Sequence, residues 1–115
     1  MDIKRFGGNG RRSLCVKNGG VLYVSGITAS DLSGDIKKQT TEVLDEIENI
    51  LERRKTDKNN LLTVTVYLAD MADYGAFNSV WDEWVIDSFE PCRSVVEARL
   101  ATEEYKVKIS AIAAV

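Results

Sequence analysis

A chain of 115 residues with no histidine has room for one hydrophobic core, and it excludes a zinc site, a Ser-His-Asp triad and a Cys-His pair. Its formal charge of -3 has the wrong sign for a nucleic-acid binder, which presents a basic surface. Two cysteines, Cys15 and Cys92, are too few for a disulfide framework, and no apolar run reaches the ~20 residues of a membrane span, so one cytoplasmic domain over residues 1–115 is expected.

Residues 3–10 show no period and read as irregular, with Gly7-Gly8-Asn9-Gly10 as a loop. A phosphate-cradling loop would need a lysine, a Ser/Thr and a preceding strand that are missing here, which leaves a plain turn. Ser13 to Lys17 and Val21 to Ser25 are short β-branched runs separated by Asn18-Gly19-Gly20, and Asn-Gly between two such runs predicts a hairpin. From Asp35, a suitable cap, Ile36, Thr40, Val43, Leu44, Ile47, Ile50 and Leu51 recur at helical steps and predict an amphipathic helix. Arg53, Arg54 and Lys55 then put positive charge where the helix dipole favours it.

Leu62 to Leu68 alternates, with Leu62, Val64, Val66 and Leu68 facing one way and Thr63, Thr65 and Tyr67 the other, the pattern of a strand buried on one side. Asp70 or Asp73 can cap a second helix, whose stripe Tyr74, Phe77, Val80, Trp81 and Trp84 reads as core packing. Two further strands are expected, one running from Arg93 to Leu100 and one from Lys106, with Val107, Ile109, Ala111 and Ala113 opposing Lys108, Ser110 and Ile112. The order ββαβαββ predicts an α/β sandwich with both helices on one face of a mixed sheet. The other face would carry Thr63, Thr65, Tyr67, Arg93, Glu97, Arg99, Lys108 and Ser110. Such a composition suggests that copies of the chain meet there and form ligand clefts between them.

Arg93 follows the single proline, Pro91, and opens a strand. A guanidinium is a planar fork of five donors that stays charged, and so a receptor for a small carboxylate; a surface ion pair is the plainer alternative. Cys92 beside it reads either as an activated thiol or as a small packing residue, the latter favoured with no histidine to act as its base.

Val24-Ser25-Gly26, the run Thr63 to Met71 leading into Asn78, Pro91-Cys92-Arg93-Ser94 with Val96 to Leu100, and the closing Val107 to Ile112 together resemble the RidA family, also called YjgF/YER057c or L-PSP. The resemblance spans nearly the whole chain. It implies a chorismate-mutase-like α/β fold assembled as a homotrimer with pockets at subunit boundaries. It further implies hydrolysis of enamines and imines to 2-keto acids and ammonia, with no metal or other cofactor and a small imino or keto acid as the only partner besides the chain itself. On this likeness Arg93 grips the substrate carboxylate, while Asn78, Ser25, Gly26 and Cys92 contact the substrate. Fixing an already electrophilic imine beside a water supplies much of the acceleration.

The chain departs from that pattern at specific positions. Lys108 stands where the best-studied deaminases carry a water-orienting glutamate, Arg12 where they carry a tyrosine, and Gly26-Ile27 replaces Gly-Gln. If Arg12 and Lys108 enter the cleft with Arg93, the pocket would prefer imines bearing a second carboxylate. If they turn outward, or pair with Glu97, Glu103 or Glu104, it would not. A non-catalytic trimeric module that binds a small acid is the main competing reading, and a ribonuclease or translation inhibitor is a more distant one.

Overall fold

The computed structural model describes all residues 1–115. Six strands form one sheet: β1 (Ile3–Phe6), β2 (Cys15–Asn18), β3 (Val21–Ile27), β4 (Leu61–Leu68), β5 (Cys92–Glu97) and β6 (Val107–Ala114). Their spatial order is β1-β2-β3-β6-β4-β5. Neighbours run antiparallel except β4 and β5, which are parallel because helix α2 (Tyr74–Trp84) carries the chain back between them. Helix α1 (Ile36–Arg53) links β3 to β4 and packs beside α2, with the Trp84 Nε1–H donating to Glu48 Oε1 at 2.8 Å across the pair.

Helix α1 forms for the reasons its sequence advertises. Asp35 accepts a hydrogen bond from Lys38 N at 2.9 Å, and the stripe Ile36, Val43, Leu44, Ile47, Ile50 and Leu51 is buried against the sheet. Each such aliphatic side chain, fully buried, contributes roughly 1.5–3 kcal/mol. Two polar residues of the helix, Gln39 and Thr40, are also inaccessible, and Gln39 is the one fully hydrogen-bonded. Gln39 donates to Glu104 O at 3.0 Å and to Gly34 O at 3.3 Å, and accepts from Lys106 N at 3.0 Å. It therefore holds the segment between β5 and β6 to the helix. Ahead of α2 the caps divide: Asp70 accepts from Ala72 N, while Asp73 makes no side-chain cap bond.

The fold has the expected layers, with four local differences. Residues 3–6, expected to be irregular, are an edge strand paired with β2. Gly7, at φ 64° and with Leu14 where a Cβ would stand, returns the chain onto β2. Four residues with only Ile3 and Phe6 half-buried carry no period that could announce a strand. The register of β4 on β6 slips between Leu61 and Thr63, so Leu61 enters the core and Leu62, assigned to it by alternation, is 48% exposed. Strand β5 ends at Glu97 rather than Leu100.

The fourth difference concerns the sides of β5. Arg93 is registered with Val64, Val95 with Val66 and Glu97 with Leu68, which puts them on the helix-covered side. Cys92, Ser94 and Val96 instead align with Thr63, Thr65 and Tyr67 on the open side. Arg93 and Glu97 therefore do not share a face with Lys108, which is registered with Tyr67. Alternation fixes which residues of a strand go together, whereas the choice of side comes from pairing with the neighbouring strand. As the last strand of the sheet, β5 is only partly covered, so a charged residue is tolerated on its inner side.

Candidate functional site

Arg93 lies half-buried at the edge of the sheet where α2 crosses it. Its Nη1 donates to Asn78 Oδ1 at 2.9 Å, and its Nη2 makes a longer contact of 3.4 Å with the Tyr74 hydroxyl. Tyr74 and Asn78 are one helical turn apart on α2 and so reach the same place. The guanidinium carbon is 5.3 Å from the Trp81 ring centroid and 5.8 Å from that of Phe77, within the ~6 Å over which a cation is attracted to a ring face. None of the molecule's ion pairs involves Arg93. A guanidinium oriented by a neutral amide, backed by aromatic rings and lacking a carboxylate partner keeps most of its donors for an anion from outside.

A second group of residues occupies the open face. Ser25 and Gly26 lie where the pairing of β3 with β6 shifts between Val24 and Ile27, an irregularity that re-aims the chain. Ser25 N donates to Leu14 O at 2.9 Å, while Ser25 Oγ is buried with no partner in the protomer, a state that calls for one from outside. The Lys108 side chain runs directly over Gly26: a Cβ at that position would meet Lys108 Cγ and Cδ at 3.2 Å and collide with Cε. Lys108, Gly26, Tyr67, Ser110 and Arg99 line a cavity of about 420 Å³. Beyond the Ala98–Leu100 segment, a second cavity of about 670 Å³ extends along residues 97–103 to Ala69.

The remaining candidates lie apart from both groups. Arg12 is exposed and donates from Nη1 to Gly7 O at 3.2 Å, tied to the loop that carries it. Cys92 is exposed on the open side, away from Arg93. Cys15 is buried; desolvation pushes its thiol pKa up, opposed in part by Arg54 and Arg53. Glu97 accepts from Met71 N at 3.0 Å, and neither it nor Glu103 or Glu104 forms an ion pair with Lys108 or Arg12. No three His, Cys, Asp or Glu side chains gather closely enough to hold a metal ion.

Sequence reasoning brought Arg93 and Asn78 forward but missed Tyr74 and Trp81 as the walls of that site, because an aromatic stripe at helical spacing signals packing first. Arg99 was legible only as a polar residue of the open face; its place beside Lys108 depends on how the chain leaves β5.

These features define an α/β domain with one bare sheet face and two separate cationic groups. A family model described as Endoribonuclease L-PSP matches residues 3–115. Among relatives, a RutC family protein of Haemophilus ducreyi is 46% identical over 96 residues, covering 84% of this chain and 82% of its own. The RutC family protein YoaB of Escherichia coli is 36% identical over 115 residues, the full length of both. The crystal structure of a YjgF family member from Neisseria meningitidis superposes with a TM-score of 0.94 at 39% identity, covering 99% of this chain and 95% of that one. That of yeast Mmf1 does so at 0.84 and 26% identity, over 93% and 89%. The chain belongs to the family known as RidA, YjgF or L-PSP.

Proposed function

We propose that the chain is a cytoplasmic hydrolase of 2-imino acids and their enamine tautomers, working as a homotrimer whose sites form between copies. The observation that carries this reading is the Arg93 guanidinium, held by Asn78 and Tyr74 with no acidic partner. It would grip the substrate carboxylate through two parallel hydrogen bonds. Support for a shared site comes from the separation of the two groups: Arg93 is on the helix side of β5, whereas Gly26 and Lys108 are on the open face. On this reading a second copy brings the open face of one protomer against Arg93 of the next.

In the reaction a water oxygen bonds to the imine carbon and the C=N π electrons move to nitrogen, which takes a proton. The hydroxyl proton of the resulting carbinolamine then passes to nitrogen, and the C–N bond breaks to release ammonia as the C=O bond forms. Arg93 fixes the carboxylate and thereby the imine carbon, and the backbone around Ser25 and Gly26 lines the approach of the water. With Lys108 in the glutamate's place, positioning rather than a carboxylate base would supply the rate, and effective molarity alone can lower a barrier by about 7–11 kcal/mol.

The test is ammonia release from imines generated in place by an amino-acid oxidase. Wild type should accelerate release and Arg93→Ala should not. Keto-acid binding without acceleration would instead establish the binding module, the reading that Lys108 favours. An endoribonuclease, the activity in the family model's description, fits poorly with a chain of net charge -3 and no histidine; RNA cleavage surviving in purified Arg93→Ala would revive it.

A further inference from the structure

Two cations, Lys108 and Arg99, enter one cavity on the open face, and neither has a carboxylate partner. Like charges in one concavity repel, and an anion placed between them relieves the repulsion. Tyr67 and Ser110 add hydroxyl donors to the same wall. Because Gly26 has no side chain, the Lys108 arm lies flat across the backbone beside the cavity that it lines, with the residue still exposed. Arg12, bonded to Gly7 O, is not among the lining residues.

We infer that this cavity receives a second carboxylate, so that the acid recognised is a dicarboxylic 2-imino or 2-keto acid. Its α-carboxylate lies on Arg93 of one copy and its distal carboxylate on Lys108 and Arg99 of the next. The inference rests on the reading above that the two groups meet between copies, and it names the substrate class of that shared site. A monocarboxylic acid leaves Lys108 and Arg99 in one cavity without a counter-charge, and a charge-assisted hydrogen bond is strong enough to separate the two classes clearly.

The test compares binding of 2-oxoglutarate with binding of 2-oxobutyrate by calorimetry on the intact assembly. Wild type should hold 2-oxoglutarate at least about tenfold more tightly. In the double variant Lys108→Gln, Arg99→Gln the ratio should fall to about one, and Lys108→Glu should invert it. Equal affinities in wild type, or a preference that survives the double variant, would overturn the inference. Ammonia release from the corresponding imines separates it from the deaminase reading. A binding preference without turnover keeps the inference and ends the deaminase reading, whereas turnover with no preference does the reverse. Failure to bind either acid overturns both.

Discussion

At Arg93 the decisive relation is with a neutral neighbour. Asn78 Oδ1 fixes one corner of the guanidinium at 2.9 Å without neutralising it, so the group is both positioned and still in need of an anion. Asn78→Asp would supply that anion internally. Keto-acid affinity should then fall by at least about tenfold, with the fold intact by circular dichroism. Arg93→Lys should weaken binding comparably despite keeping its charge, because an ammonium cannot offer the planar fork. Cys15 gives a second residue-scale prediction. Burial raises its thiol pKa, so the folded chain holds that proton more tightly than the unfolded chain. This contribution to stability is whole below the ordinary thiol range and is lost as pH rises from there through the raised value of the folded state. Native thiol titration at pH 8 should leave Cys15 unreacted until denaturant is added; rapid modification in the folded protein would contradict its 2% exposure.

Among the elements, α1 has a second role besides covering the sheet. Through Gln39 it holds Glu104 O and Lys106 N, the end of the segment whose beginning, Ala98 to Leu100, lines the open-face cavity. Gln39→Leu keeps the apolar stripe but leaves those backbone groups without partners. It should lower unfolding free energy by about 1–3 kcal/mol, read as a lower urea midpoint at constant slope. If the cavity is a carboxylate site, 2-oxoglutarate binding should weaken in the same variant as Arg99 loses its support. An unchanged urea midpoint would mean that the segment holds itself in place without the glutamine.

For the whole molecule, the sheet is covered on one side only. Tyr23 is 46% exposed and Val96 42%, and the row Val16, Tyr23, Ile112, Thr63 and Cys92 crosses the bare face. Such a surface is suited to burial against copies of itself. Thr65→Arg, in the middle of that face, should yield monomers by light scattering, with keto-acid binding lost and the fold kept. If copies meet on that face as proposed, Cys92 should report the same event, reacting slowly with thiol reagents in wild type and quickly in the Thr65→Arg variant. A monomeric wild type that still binds keto acids would contradict the shared site.

The amino-acid order by itself determined the elements whose signals are local: the 3.6-residue stripe of α1 with its Asp35 cap, the alternation of β4 and β6, and the Asn18-Gly19 turn. It also determined the missing histidine, and with it the chemistry that is unavailable. Tertiary structure decided the side of the sheet on which Arg93 lies, the slip that turned Leu62 outward, the pairing that made residues 3–6 a strand, and the burial of Gln39. It also set Arg99 beside Lys108 and kept Arg12 on its own loop. The physical reason is that periodicity records only which residues of one segment go together. The side they take, and the company they keep, follow from hydrogen-bond register with strands distant in sequence.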